Sequence, residues 1–264
     1  MTHPAYETLR RVSPIASVLL QDNAGPMTLD GTNTWLLRAP DSSSVVVVDP
    51  GQTDDAHLDN LLAVAPEISL VLLTHGHHDH SESAAALHER AGVAVRAIDP
   101  AHCHGAGALE HGQTFEVSGV RVSVLATPGH TADSASFVLD GVPDVGAAVL
   151  TGDTILGRGT TVVAHPDGQL GAYLESLQLL RGLGAITVLP GHGPELPAAE
   201  QVAGFYLAHR QERLNQVRTA LASLGPTATA RQIVEVVYAD VDESVWWAAD
   251  LSVEAQLKYL RDGV

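Results

Sequence analysis

Residues 74–80 read THGHHDH, which brings His75, His77, Asp79 and His80 within six positions. Imidazole nitrogen and carboxylate oxygen suit a borderline divalent ion such as zinc, at bond lengths of about 2.0–2.2 Å. In extended chain, residues two apart point the same way, so His75 and His77 can grip one ion, while a turn at Asp79 and His80 presents those two to a neighbouring ion. A histidine-rich loop can also be a disordered scavenging tract or a solvated surface. This one directly follows the apolar run ISLVLL at 68–73, which reads as a strand covered on both faces.

Working outward, 34–38 and 45–49 are β-rich and separated by the turn-forming APDSSS, which predicts a hairpin ending at DPG. Helical spacing follows over 54–65. The alanine-rich SESAAALHERA at 81–91 predicts a helix with Ser81 as a possible cap and Gly92 as a stop, and a strand resumes at 93–97. Further strands are expected at 120–126, 136–139, 147–150 and 187–189, and three of these run directly into TPGH, TGDT and PGH. Polar chemistry therefore gathers on loops at strand ends.

Doubly buried strands need cover on both faces, so the fold class is α/β (α+β), with two stacked sheets between outer helices. Past Pro197 the texture turns helical over 198–224, 229–238 and 252–261. A catalytic domain over 1–200 and a small helical domain over 201–264 are expected.

The 264 residues, 45% of them hydrophobic and with 24 glycines, suffice for one large core plus an appendage. Cys103 is the only cysteine, which excludes an intramolecular disulfide and a thiolate metal cage and fits a reducing compartment. The opening MTHPAYETLRRV has no apolar run after its basic residues, so neither a secretory signal nor a membrane partner is expected, and the predicted location is cytoplasmic. A formal charge of −17, with Lys258 the only lysine, argues against duplex DNA as a partner. Single-stranded RNA stays open, because two divalent ions would place about four positive charges in the cleft.

His130 in TPGHTADS, Asp153 in TGDT and His192 in LPGHGP each follow a β-rich run and are framed by glycine or proline. With the first cluster they complete a pattern that resembles the metallo-β-lactamase superfamily, whose HxHxDH loop is followed by a histidine, a bridging aspartate and a final histidine. The resemblance spans roughly residues 30–195 and implies an αββα sandwich. It also implies His75, His77 and His130 on one metal, Asp79, His80 and His192 on the other, and Asp153 between them. A narrower similarity is to the β-lactamase-like protein 2 branch, through GTNT at 31–34, ILGRGTTV at 155–162, PGHGP at 190–194 and the helix bearing His209 and Arg210. That branch implies a C-terminal winged-helix domain, and its animal members are endoribonucleases acting on single-stranded RNA.

Two divalent ions, expected to be Zn²⁺ with Mn²⁺ or Fe²⁺ as alternatives, can share a water, lower its pKa and hold the resulting hydroxide facing the substrate. Asp79 is the candidate catalytic residue, to orient that hydroxide or pass its proton on. Asp49 in VVDPG is either the carboxylate that holds a ligand histidine from behind or an ordinary turn residue. Candidate substrate contacts are Asn33, Arg158 and Thr160, each equally readable as a structural residue. His209 and Arg210 are a further pair, which with Arg213 and Arg218 form either a steering face or a merely solvated one. His102 and His104 read as surface histidines.

The expected function is a dinuclear metallohydrolase acting on single-stranded RNA or on a small acyl compound such as a thioester or lactone, with at most side activity on β-lactams. The alternative from another class is a non-catalytic binding protein whose metals only stabilise the fold.

Overall fold

The computed structural model describes residues 3–140, 142 and 145–262. The first sheet is built from β1 (Arg10–Arg11), β2 (Ala16–Leu20), β3 (Asn33–Leu37), β4 (Val45–Val48), β5 (Ile68–Leu72) and β6 (Val95–Arg96), in that spatial order. Pairing is antiparallel from β1 to β4 and parallel from β4 to β6, the crossover being α1 (Asp55–Val64) and then α2 (His78–Ser81) with α3 (Ala84–Ala91).

The second sheet runs β11 (Thr187–Pro190), β10 (Ala148–Gly152), β9 (Ala135–Asp140), β8 (Val120–Ala126), β7 (Thr114–Val117). Between β10 and β11 lies α4 (Leu170–Arg181). Because β8 and β10 are both antiparallel to β9 and β11 is parallel to β10, the strands β8, β10 and β11 all end at one edge.

The four consecutive valines of β4 show why the sheets stack. Side chains alternate across a strand. Val46 and Val48 therefore enter the core between the sheets, with Trp35, Leu72, Phe137, Leu139 and Leu150. Val45 and Val47 enter a second core beneath α1 and α3, with Leu58, Leu61 and Leu87. The second sheet is roofed in the same way, Val149 and Val188 packing against Tyr173 and Leu177 of α4 and Tyr206 of α5 (Ala199–Leu224). Four layers result, helix, sheet, sheet, helix.

The last helices, α6 (Ala230–Val237) and α7 (Trp246–Asp262), form a small core of their own with the second half of α5, through Val217, Ile233, Val234 and Val253. Thr229 caps α6 with a reciprocal capping box to Gln232. Helix α5 serves both cores without a break: its first half packs with α4, its second with α6 and α7. Ala255 of α7 also reaches back into the core under α4. No helix among the described residues is long and apolar enough to cross a membrane.

The helix expected over 81–91 is two elements. Ser81 closes α2 rather than capping α3, because its hydroxyl donates to the carbonyls of Gly76 and His77 and so ties back the histidine loop. α7 begins at Trp246, six residues before the expected start at 252. β1, β2, β7 and α4 were not expected from the sequence.

Candidate metal centre

All the candidate ligands lie where strands end. His75 and His77 follow β5, Asp79 and His80 occupy α2, and His130, Asp153 and His192 follow β8, β10 and β11. His75, Asp79, His80, His130, Asp153 and His192 are buried and His77 is exposed.

Their inward atoms form two clusters. His77 Nδ1 lies 3.0 Å from His75 Nε2 and 3.1 Å from His130 Nε2. His192 Nε2 lies 3.1 Å from both His80 Nε2 and Asp79 Oδ2. Asp153 stands between the clusters. Its Oδ1 is 3.4 Å from His80 Nε2 and 3.5 Å from His192 Nε2, while its Oδ2 is 3.8 Å from His130 Nε2. The donor atoms of His75, His77 and His130 lie within 4.8 Å of one another, as do those of Asp79, His80 and His192.

The backs of the rings fix which nitrogen faces inward. His80 Nδ1 donates to Asp49 Oδ2 at 2.9 Å, His192 Nδ1 to the Gly31 carbonyl at 3.0 Å, and His130 Nδ1 to the Val162 carbonyl at 2.8 Å. Thr74 spends its hydroxyl proton on Asp49 Oδ2 at 2.7 Å, so its oxygen accepts from His75 Nδ1 at 3.0 Å. Each of these four rings therefore turns the lone pair of Nε2 toward the centre.

His80 Nε2 and His192 Nε2, 3.1 Å apart, both present lone pairs when their rings are neutral, and such a pair repels unless something positive, a proton or a metal ion, lies between them. A tetrahedral zinc with bonds of about 2.0–2.1 Å would set neighbouring donors about 3.3 Å apart, close to these separations. Asp153 Oδ1 is buried and has no hydrogen-bond partner. A Cβ at Gly191 would come within 2.7 Å of both Asp153 Oδ1 and His80 Cε1, so the turn before His192 reaches the cluster only as glycine. The donor set therefore fits divalent metal.

Without metal the two clusters differ electrostatically. Burial holds the His75 and His77 imidazoles below their ordinary range, and their histidine neighbours push the same way. Burial also disfavours charge on His80 and His192, but Asp153 outweighs it in both cases, aided by Asp49 for His80 and by Asp79 for His192, and both rings are raised. Burial pushes the Asp79 and Asp153 carboxyls up, yet the adjacent His192 and His80 hold both well below the usual range.

Supports come from both sheets. Asn33 of β3 donates its amide to the carbonyls of Pro190 and Gly193, at 3.0 and 2.8 Å, and Trp35 Nε1 donates to Pro190 at 2.9 Å. Together they clamp the turn that carries His192. Gly31 sits at φ +129°, where a Cβ would meet the Gln21 carbonyl at 2.1 Å, so the carbonyl that receives His192 depends on glycine. On the helical side, Tyr173 OH donates to Thr154 O at 2.7 Å, Tyr206 OH accepts from Leu156 N at 3.0 Å, and Arg210 donates to Thr161 O. Burial pushes the Tyr173 hydroxyl up to about 12, which keeps it a donor at neutral pH.

Among the candidate substrate contacts, Asn33 is thus buried and engaged as a clamp. Arg210 is 5% exposed, its guanidinium 5.0 Å from the centre of the Tyr173 ring, so it belongs to no charged surface. Arg213 lies over Tyr238. Arg158 is exposed, pairs with Asp30 and lines a cavity of about 240 Å³ with Arg10, Asn33 and Gly193. Thr160 is half-buried on the same loop as Arg158, and His209 stacks on the exposed Phe205 at 6.4 Å.

His102 is not a free surface group. A Cβ at Gly76 would lie 2.3 Å from His102 Nε2, and the ring lines a cavity of about 250 Å³ beside His77 with Asp99, Thr131, Asp133 and Asp167. Its distance along the chain from THGHHDH gave no signal of this. His104 stacks instead on His88 at 5.6 Å.

Because the clusters gather nitrogen and carboxylate donors around two points and leave Asp153 Oδ1 without a partner, metal binding is expected to stabilise the fold. At a metal concentration 100 times the dissociation constant, one ion contributes about 2.7 kcal/mol. That corresponds to roughly 5–10 °C in Tm for a domain of this size. Thermal unfolding with and without chelator checks this, and coincident midpoints would contradict it.

Residues 27–192 match the family model described as the metallo-beta-lactamase superfamily, and residues 229–262 that of the beta-lactamase associated winged helix domain. The beta-lactamase-like protein 2 homolog of Caenorhabditis elegans is 30% identical over 100% of this chain and 90% of its own. The atrochrysone carboxyl ACP thioesterase AacuM of Aspergillus aculeatus is 29% identical over 92% of this chain and 76% of its own. Among solved structures, a beta-lactamase domain protein from Burkholderia ambifaria superposes with a TM-score of 0.79 at 23% identity, covering 98% of this chain and 89% of that one.

Proposed function

The chain belongs to the metallo-β-lactamase superfamily, and from that premise we propose that it is a dinuclear, zinc-dependent hydrolase whose substrate is a neutral acyl compound, a thioester in the first instance. The observation that carries the substrate class is the cavity beside His77. Three carboxylates, Asp99, Asp133 and Asp167, line it, and no lysine or arginine does. A phosphodiester chain would meet repulsion there, whereas a neutral acyl group would not. Arg210, which could have offset this, is turned inward. The thioesterase named among the relatives supports the same choice over the single-stranded RNA expected from the β-lactamase-like protein 2 resemblance.

Residues of this chain would hold the metals as two sets, His75, His77 and His130 in one and Asp79, His80 and His192 in the other, with Asp153 reaching both. When bound, divalent ions supply Lewis acidity, lowering the pKa of a water and countering the negative charge that develops on the attacked oxygen. Asp79, whose Oδ2 lies 3.1 Å from His192 Nε2, would orient the attacking water. Asp49, Gly31 and Val162 hold three ligand rings still, so that little reorganisation accompanies reaction.

The test is a screen of metal-loaded protein against S-acyl thioesters, lactones, a β-lactam and unstructured RNA, each repeated with Asp79→Ala and with chelator. Thioester cleavage is expected, reduced by about 10³-fold in the variant. Cleavage of RNA alone would overturn the substrate assignment, and inertness toward every class would overturn the hydrolytic one.

A further inference from the structure

His57 of α1 is fully buried, 0% exposed, and belongs to no apolar cluster. Its Nδ1 lies 2.9 and 3.0 Å from the two carboxylate oxygens of Glu7, and its Nε2 lies 3.1 Å from Thr34 Oγ1. Thr34 Oγ1 in turn lies 2.8 Å from the backbone carbonyl of Asp49. A carbonyl only accepts, so the single hydroxyl proton of Thr34 goes to Asp49. Nε2 of His57 is then left to donate to Thr34, and Nδ1 faces a carboxylate, so both ring nitrogens act as donors. The bonds run in one direction, from α1 through β3 to the end of β4.

What lies at the far end is the residue that holds the histidine loop. Asp49 has φ +55°, a left-handed conformation that non-glycine residues hold only when the surroundings enforce it. Its N–H is bonded to Leu72 O at 3.0 Å and its C=O to Thr34, which fixes the peptide on both sides. Its carboxylate then meets Thr74 N at 2.8 Å, Thr74 Oγ1 at 2.7 Å and His80 Nδ1 at 2.9 Å. At the near end, Glu7 also has a positive φ, +53°, and receives Asn60 Nδ2 on its carbonyl at 2.7 Å. Burial pushes the Glu7 carboxyl up, but His57 and Asn60 outweigh it and leave it below its ordinary value.

We infer that Glu7, His57 and Thr34 are positioning residues that lock the backbone of Asp49, and so set the affinity of the metal position formed by Asp79, His80 and His192. The inference rests on the metal-centre reading above. The relay bears most directly on one position: His80 is the ligand bonded to Asp49 itself, His75 of the other set is reached only through Thr74, His130 is held by Val162, and His77 sits at the exposed end of the loop.

The experiment is a Co²⁺ titration of the metal-free full chain in competition with a chromogenic chelator. The wild type is expected to take up two equivalents in two steps, the step missing in Asp79→Ala marking the position in question. His57→Phe, which fills the site without donors, and Thr34→Val are each expected to weaken that step about tenfold, on the scale of losing an orienting partner. The other step, which Asp49 reaches only through Thr74 and His75, should weaken distinctly less. Thr34→Ser, which keeps the hydroxyl, should restore wild-type behaviour, and Glu7→Gln, at the outer end, provides a variant that does not disturb the interior. A wild type that never takes up a second equivalent defeats the metal-centre reading itself. Two wild-type steps that remain unchanged in His57→Phe, Thr34→Val and Glu7→Gln, or that weaken equally, defeat the relay.

Discussion

Asp153→Ala is expected to abolish hydrolysis, by at least about 10³-fold in kcat/KM, and to reduce the bound metal to one equivalent or less. Asp153 alone offers an oxygen to each cluster, Oδ1 toward His80 and His192 and Oδ2 toward His130. Alanine removes the buried anion that lies within 4 Å of His80, His192 and His130, so one remaining set must bind a dication with three neutral nitrogens and the other with two and Asp79. The two metal positions should then weaken together, unlike the selective loss expected from the Asp49 relay. Asp153→Asn separates charge from shape, since it keeps the volume and one acceptor. It should retain part of the metal but little activity. Metal analysis by atomic emission alongside steady-state kinetics checks both variants, and an alanine variant with two equivalents and wild-type turnover would remove Asp153 from the centre.

Gly129→Ala should have the largest effect on stability. Gly129 lies at φ +135°, and a Cβ there would fall 2.3 Å from Tyr173 Cα and 2.4 Å from Tyr173 N. The obstacle is helix backbone, which cannot swing aside as the end of a side chain can. Gly129 O also accepts from Gln169 N at 3.0 Å at the start of α4. Overpacking and the strained φ together cost about 3–5 kcal/mol, or roughly 10 °C in Tm. His130 is the next residue, so any shift that relieves the clash displaces a ligand from the three-histidine set. Differential scanning calorimetry with a metal titration checks the pair of effects, and a variant that melts and binds like the wild type would show that the turn has room the structure denies it.

The clusters were legible because each ligand stands at the end of an apolar run, and such runs identify strands without any knowledge of how they pair. Thus ISLVLL before THGHHDH and VL before PGH marked loops at strand ends, although not that β8, β10 and β11 end together, which depends on the antiparallel placement of β9. The two-element helix over 78–91 escaped because a four-residue turn built from HDHS is too short to show periodicity. His102, Tyr173, Tyr206 and the pair Glu7 and His57 escaped for another reason: each acts across a long sequence separation, and nothing local distinguishes it from a core or surface residue. Arg210 illustrates the converse. Its charge suggested an exposed face, but on α5 its side chain turns inward to the Thr161 carbonyl and the Tyr173 ring.

Helix α5 joins two hydrophobic cores without a hinge, and its first half carries Tyr206 and Arg210 against the loop that follows Asp153. The small C-terminal domain is therefore not a detachable module. Chain cut near residue 200 would lose the beam that supports the Leu156 and Thr161 carbonyls, and a different domain grafted onto the same helix would have to preserve its pitch through Leu214 and Val217. Exchange of the appendage between relatives is constrained in this architecture by rigidity at the reaction centre as well as by compatibility at the junction.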